Sequence, residues 1–239
     1  MIKSNQNEKL KLVRKLRDHK HREREGLFVT EGEDLLDAGF AAGAEPRFVL
    51  VEAGSGLHGE EVESDLLADV SILGSGTRTM AVWPQRWSEK AAAPCIYLQG
   101  VGDPGNVGTI VRTADALLEG SVVLGPDCAG PFSPKAVRAS MGSIFNQPPL
   151  RAGVEATPEP RAALLAHGGD GLEALDGAAT ICLGAEREGL PDEVLAACER
   201  QVTIPLRPGG AESLNVAAAA AIAAQRISSL AMREAQSDA

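Results

Sequence analysis

The chain has 239 residues, of which 44% are hydrophobic and only 3% aromatic, so its core must consist mainly of Ala, Val, Leu and Ile side chains. No run of about 18 apolar residues is present and the N-terminus is charged, so we expect neither a membrane span nor a signal peptide. The net charge of −10 argues against a polyanionic partner, and four widely spaced cysteines without a C-x-x-C pair indicate a cytoplasmic protein with reduced thiols and no zinc site.

The first predicted element is a helix over residues 5–24, and its charge is opposite to that of the remaining chain. Residues 1–24 contain nine Lys or Arg and three Asp or Glu, whereas the other residues include 14 basic and 30 acidic side chains. A basic arm on an acidic body is typical of a contact with a polyanion. A charged helix that is merely solvated would show the same pattern, so both interpretations stay open.

Short strands and helices follow in the N-terminal part. The pattern predicts a strand and turn over 27–32, a helix over 34–42 and a strand over 47–52. The segment 83–90 interrupts the alternation and resembles a linker. We therefore place a domain boundary near residue 88 and predict domains at residues 1–88 and 89–239.

After this boundary the alternation becomes regular. The predicted strands are 95–99, 121–125, 144–150, 179–184 and 201–204, and the predicted helices are 106–118, 133–142, 161–167, 193–197 and 214–232. This alternation predicts an α/β domain with a parallel sheet covered on both faces. Ligands of such sheets bind beyond the carboxyl ends of the strands.

A glycine-rich turn follows the first strand of this domain. Gly100 to Gly105 fit G-x-G-x-x-G, and Asp127 follows about 20 residues later, which is the spacing of a dinucleotide-binding fingerprint. However, Pro104 lies inside the turn, and the helix is predicted to begin only at Asn106. Glycines that make a tight turn without binding a ligand explain the match more simply.

Polar side chains stand at three places where an apolar strand gives way to a turn or helix. The first place holds Asn106 and Arg112, the second holds Glu186, and the third holds Ser213 and Asn215. We expect these junctions to form one composite site at the carboxyl edge of the sheet.

Each of these residues also has a structural interpretation. Asn106 can cap its helix, and Ser213 or Asn215 can cap the Ala-rich helix that follows. Arg112 lies between apolar neighbours, where a guanidinium needs an anionic or carbonyl partner, and Glu186 could be that partner. The small side chains over 217–224 allow a close approach by another backbone or a second subunit.

These segments resemble the motifs of the SpoU/TrmH branch of the SPOUT superfamily, which transfers a methyl group from S-adenosylmethionine to a ribose 2′-hydroxyl in RNA. N-x-G-x-I-x-R-T-A occupies residues 106–114, L-G-x-E-x-x-G-L occupies 183–190, and I-P-L followed by G-G-A-E-S-L-N-V-A occupies 204–217. Residues 134–143 are also typical of the family, and residues 8–82 resemble its small substrate-binding domain. One departure is a third-motif loop that is longer by about one residue.

The resemblance implies a SPOUT domain with a deep trefoil knot, a small L30e-like N-terminal α/β domain, a homodimer, S-adenosylmethionine as cofactor and no metal. The implied catalytic residues are Arg112, Asn106, Glu186, Ser213 and Asn215. The implied cofactor-binding residues are Leu183, Gly184, Ile204, Leu206, Ser213 and Leu214. The candidate RNA contacts are Arg14, Lys15, Arg17, Lys20, Arg22 and Arg138.

The expected substrate is 23S ribosomal RNA, because family members with an extra N-terminal domain of this kind mostly act on the large subunit. A tRNA ribose methyltransferase is the first alternative. An RNA-binding or ribosome-assembly protein without catalytic activity is the second.

Overall fold

The computed structural model describes residues 1–73 and 76–237, which form two compact units. One unit comprises Met1–Arg86 and Gly130–Asn146, and the other comprises Trp87–Ala129 and Gln147–Ala239. None of the helices in the described ranges is long and apolar enough to cross a membrane.

Helices and strands alternate along the described chain. The strands are β1 (Leu27–Glu31), β2 (Phe48–Glu52), β3 (Glu60–Val62), β4 (Thr79–Pro84), β5 (Cys95–Leu98), β6 (Val122–Leu124), β7 (Leu150–Arg151), β8 (Arg161–Leu165), β9 (Thr180–Leu183) and β10 (Arg200–Thr203). The α-helices are α1 (Glu8–Lys15), α2 (His19–Glu25), α3 (Glu33–Ala41), α4 (Ser64–Val70), α5 (Pro104–Leu117), α6 (Pro134–Ser140), α7 (Ser143–Asn146), α8 (Asp192–Ala196) and α9 (Val216–Ser237).

The first unit is built on a four-stranded mixed sheet with the order β1-β4-β2-β3. Strand β4 is antiparallel to both β1 and β2, and β3 runs parallel to β2. Leu10, Val13 and Leu16 of the N-terminal segment are buried in its core. The apolar side of the basic segment is therefore a packing surface.

The basic N-terminal segment folds as two helices, so the single helix predicted over 5–24 is wrong. The side chain of Asn7 caps α1, and the Asp18 carboxylate caps α2 by accepting a hydrogen bond from the His21 N–H. Each short polar side chain satisfies a backbone donor that a helix start leaves unpaired, and the second cap starts a new helix.

The second unit contains a six-stranded sheet with the order β10-β8-β9-β5-β6-β7, in which every neighbouring pair is parallel. Strands β5, β6 and β9 are mainly apolar and buried along their whole length, as expected for strands covered on both faces. The predicted fold class, a parallel α/β domain with a smaller N-terminal partner, is confirmed at this level.

Two elements after residue 130 were predicted incorrectly. Residues 161–167 were expected to be helical, but β8 occupies Arg161–Leu165 because it pairs with β9 and β10 on its two sides. Residues 144–150 were expected to be a strand, but they include α7, and only Leu150–Arg151 joins the sheet. Ala and Leu favour helices, and sheet pairing overrides that weak preference in β8.

The four cysteines are free thiols. Cys95 and Cys182 are fully buried on the adjacent strands β5 and β9. Burial raises the pKa of the Cys95 thiol to about 11, so this group stays protonated at neutral pH. Both residues act as small core side chains.

Candidate active site

Helix α5 carries the first polar junction, and it begins at Pro104, two residues earlier than predicted. The Asp103 carboxylate caps it by accepting a hydrogen bond from the Asn106 N–H at 3.0 Å. Proline suits the first helical position because it has no N–H to satisfy there. Asn106 is therefore not the cap, and its side-chain amide is available for other contacts.

The side chains of three sequence-distant residues form one hydrogen-bonded chain. The Asn106 Nδ2 donates to Glu186 Oε1 at 2.6 Å, and the Asn215 Nδ2 donates to Asn106 Oδ1 at 3.0 Å. Asn215 Oδ1 in turn accepts from the backbone N–H of Ala217 at 2.9 Å, which caps α9. We call Asn106, Glu186 and Asn215 the polar triad. It joins the first turn of α5, the loop after β9 and the start of α9.

The loop after β9 is a tight hairpin that presents Glu186. Ala185 and Gly189 exchange two backbone hydrogen bonds of 3.1 and 3.0 Å. A Cβ on Gly184 would lie 2.1 Å from the Gly189 carbonyl carbon, and Gly189 has a φ of +69°. Position 184 therefore has no room for a Cβ, and position 189 has a left-handed backbone that favours glycine. The hairpin therefore fixes the positions of the residues at its tip.

A cleft of about 230 Å³ lies beside this hairpin, beyond the carboxyl ends of β8, β9 and β10. All six residues that the family resemblance assigned to the cofactor line it, namely Leu183, Gly184, Ile204, Leu206, Ser213 and Leu214. Within the described ranges, no backbone hydrogen bond engages the main chain of Leu206, Ser213 or Leu214. The cleft therefore offers apolar side chains together with backbone donors and acceptors to a ligand.

Arg112 makes no hydrogen bond to the polar triad. Its side chain is exposed, on the same stripe of α5 as Thr109 and Ala116. No hydrogen bond or ion pair connects its guanidinium to another residue that the structure describes. The sequence placed Arg112 among apolar neighbours with Glu186 as a possible partner. That pair is not formed, and the Glu186 carboxylate instead accepts a hydrogen bond from Asn106.

The candidate RNA contacts lie in the first unit and differ in their surroundings. Lys15, Lys20 and Arg138 are exposed. Arg14 pairs with Asp69 at 2.8 Å, and Arg17 donates to the carbonyl oxygens of Asp69 and Ser71.

Arg22 is a structural residue. It is only 6% exposed, and its guanidinium donates to the carbonyl oxygens of Leu16 at 2.9 Å and Arg17 at 2.6 Å. Burial lowers the pKa of this guanidinium. These bonds satisfy carbonyls beyond the end of α1 and hold α2 against it, so we remove Arg22 from the candidate RNA contacts.

Sequence reasoning missed the role of Asp103 and the tip residue Arg187, which lines the cleft. An Asp directly before Pro104 is a recognisable helix start, and it could have identified the cap. No sequence pattern predicts that Arg187 lines the cleft, because this depends on the hairpin geometry.

The comparisons with known proteins agree with this geometry. The sequence profile of the SpoU rRNA Methylase family matches residues 93–225, more than half of the chain. The profile of the MRM3-like substrate binding domain matches residues 7–81. The chain therefore belongs to the SpoU rRNA methylase family, which confirms the resemblance seen in its motifs.

Individual relatives match along nearly the whole chain. The 23S rRNA (guanosine(2553)-2'-O)-methyltransferase RlmP of Bacillus subtilis is 30% identical, over 92% of this chain and 96% of the relative. A TrmH-family protein from Porphyromonas gingivalis is 32% identical with a TM-score of 0.79, over 95% of this chain and 98% of that one. An AdoMet-bound rRNA methyltransferase from Sinorhizobium meliloti is 26% identical with a TM-score of 0.81, over 94% and 95% of the two chains.

Proposed function

We propose that this chain transfers a methyl group from S-adenosylmethionine to a ribose 2′-hydroxyl of large-subunit ribosomal RNA. The observation that carries the proposal is the polar triad beside the cleft. Its members come from the three family motifs, and the cleft is lined by every residue assigned to the cofactor. The relatives that match nearly the whole chain include a 23S rRNA methyltransferase, which supports the choice of substrate.

The cleft fits a cofactor that combines an adenine with a methionine chain. Its walls are mostly apolar, as for most small-molecule sites, and its unpaired backbone groups can bind the edge of a base. Gly184 allows this wall of the cleft to pack directly against the hairpin, since a Cβ at position 184 would clash with the backbone of Gly189. When bound, the cofactor supplies a methyl carbon activated by a positive sulfur.

The residues of the chain would position the ribose 2′-hydroxyl that accepts the methyl group. Asn106, Glu186, Asn215 and Ser213 would hold the ribose so that its 2′-oxygen lies in line with the methyl carbon. Such alignment contributes up to about 7–11 kcal/mol to lowering a barrier. Arg112 is proposed to bind the phosphate of the target and stabilise negative charge on the attacking oxygen. Arginine stays protonated, so it does not act as the base.

We further propose a homodimer and a trefoil knot in the methyltransferase domain, with the domain boundary near residue 88. The observation in favour of the dimer is the exposed stripe Ala218, Ile222 and Gln225 on α9, where Ile222 is 38% exposed. An exposed isoleucine beside the small Ala218 suits the self-complementary contact of a two-fold dimer. The exposed Lys15, Lys20 and Arg138 are the proposed phosphate contacts of the first unit.

The proposal is tested by transfer of labelled methyl groups to RNA from cells that lack the gene. Purified protein should label the 23S fraction at one ribose, and tRNA serves as the competing substrate. Ribose-methylation mapping of total RNA with and without the gene should show the same single position. Label that appears only in tRNA would replace the proposed substrate, and no label with bound cofactor would favour an RNA-binding protein.

A further inference from the structure

Arg187 is the only cation among the described residues that line the cleft, where the other charged side chains are Glu186 and Glu188. It is exposed, and no hydrogen bond or ion pair connects it to another described residue. The chain carries a net charge of −10, so a polyanion is repelled by most of its surface. An exposed cation at the cleft is therefore a place where a polyanion can be attracted.

The position of Arg187 is fixed by the elements around it. The two backbone bonds between Ala185 and Gly189 close the hairpin, and the bond from Asn106 to Glu186 ties the hairpin tip to α5. Arg187 follows Glu186 directly, so its backbone has little freedom although its side chain reaches into solvent. A cation held in this way loses little backbone entropy when it binds a ligand.

The proposed substrate brings an anion to this place. In RNA the carbon that bears the 2′-hydroxyl is bonded to the carbon that bears the 3′-phosphate. Any site that holds a 2′-oxygen against the polar triad therefore also brings a phosphate to the neighbourhood of Glu186, which Arg187 directly follows. The guanidinium matches the phosphate oxygens with two parallel N–H donors.

Building on the proposed function, we propose that Arg187 is a positioning residue that binds the RNA phosphate next to the target ribose. It differs from Arg112, which lies on the exposed stripe of α5 and not in the cleft. A contact with the carboxylate of the cofactor is the competing role. An arginine there would stand close to a sulfonium of like charge, and the exposed tip faces the solvent from which RNA approaches.

The test compares Arg187→Gln and Arg187→Lys with Lys90→Gln. Lys90 is an exposed cation that precedes β5, at the amino edge of the sheet, so its removal changes the net charge equally. Initial rates of methyl transfer are measured against the concentration of rRNA isolated from cells lacking the gene, at several salt concentrations. Calorimetry gives the Kd of S-adenosylmethionine for each variant.

Arg187→Gln should raise the KM for rRNA by about tenfold, as expected for loss of a charge-assisted hydrogen bond. It should also reduce the salt slope by about 1 and leave the cofactor Kd unchanged. Arg187→Lys should recover part of the loss, and Lys90→Gln should match the wild type. An unchanged KM and salt slope in Arg187→Gln would overturn the inference, as would a loss confined to cofactor binding. A wild-type protein that labels no rRNA would overturn the proposed function itself.

Discussion

At the scale of single residues, Glu186 allows hydrogen bonding to be separated from charge. Its Oε1 accepts from Asn106, and glutamine retains that oxygen. We expect Glu186→Ala to slow methyl transfer by about 100-fold, because misplacement of reacting groups by about 1 Å has this effect. Glu186→Gln should keep most of the rate. Single-turnover transfer to rRNA measures both, and equal losses would mean that the charge itself is needed.

Gly184 supports a prediction about the cleft wall. Alanine at this position would place its Cβ 2.1 Å from the Gly189 backbone, so the hairpin must shift. Gly184→Ala should lower the free energy of unfolding by about 1–3 kcal/mol and abolish cofactor binding. Gly102→Ala is the matched control, since a Cβ there meets nothing within 4 Å. Calorimetry and denaturant unfolding measure both effects, and tight cofactor binding by Gly184→Ala would contradict our account of the cleft.

The sequence predicted which residues form the candidate site, but it did not predict the hydrogen bonds between their side chains. The motifs placed Asn106, Glu186 and Asn215 at three junctions of one sheet edge, and the structure joins them by hydrogen bonds. The sequence did not reveal which atoms pair, and it suggested Arg112 as the partner of Glu186. Pairing depends on side-chain direction, which neither spacing along the chain nor residue type determines.

At the scale of elements, Asn215 links the cap of α9 to the polar triad. Its Oδ1 accepts from the N–H of Ala217, while its Nδ2 donates to Asn106. Asn215→Ala should lose about 1 kcal/mol of stability by removing the cap, and also lose activity. Asn215→Asp keeps a capping oxygen but has no Nδ2 donor, so it should stay stable and lose activity. If Asn215→Asp has wild-type turnover, its bond to Asn106 has no part in the reaction.

The two N-terminal helices allow a second prediction at this scale, which concerns RNA binding by their exposed lysines. Lys15 and Lys20 are exposed, whereas Arg22 is buried against carbonyl oxygens at the end of α1. Lys15→Gln with Lys20→Gln should weaken RNA binding and reduce the salt slope by about 1.5, because each phosphate contact contributes about 0.7–0.9. The melting temperature of this double variant should equal that of the wild type.

Arg22→Gln is the contrasting variant for this surface. It should lower the melting temperature, because the carbonyl oxygens of Leu16 and Arg17 lose their donor. Binding titrations at several salt concentrations separate the two variants. A double lysine variant with an unchanged salt slope would show that RNA binds elsewhere.

Elements were predicted well where hydrophobic pattern and local signals agree. Strands β5, β6 and β9 are buried and mainly apolar, and sequence alone identified them. The segment Arg161–Leu165 was misassigned because its Ala and Leu residues favour a helix, and only pairing with two neighbouring strands makes it β8. Such pairing joins residues distant in sequence, so no local window contains it.

At the scale of the whole molecule, the sheet order β10-β8-β9-β5-β6-β7 could not be read from the alternation of elements. Alternation predicts parallel strands and a binding edge, but many strand orders satisfy it. The family resemblance carried the further expectations of a knot and a dimer, which stay predictions. Of these, the dimer has a direct consequence for catalysis, because Arg112 is exposed and lies outside the cleft of its own subunit.

We expect Arg112 to act at the polar triad of a second subunit, and subunit mixing tests this. Alone, Arg112→Ala should be inactive, and Glu186→Ala should keep only about 1% of the wild-type rate. If the two residues serve one site from different subunits, random mixing after co-expression should restore about a quarter of wild-type activity, because half the dimers then have one intact site. If Arg112 serves its own subunit, every site in the mixed dimer has a defect and no activity returns. Methyl transfer by the purified mixture, with a light-scattering mass as the control for dimer formation, separates the two arrangements.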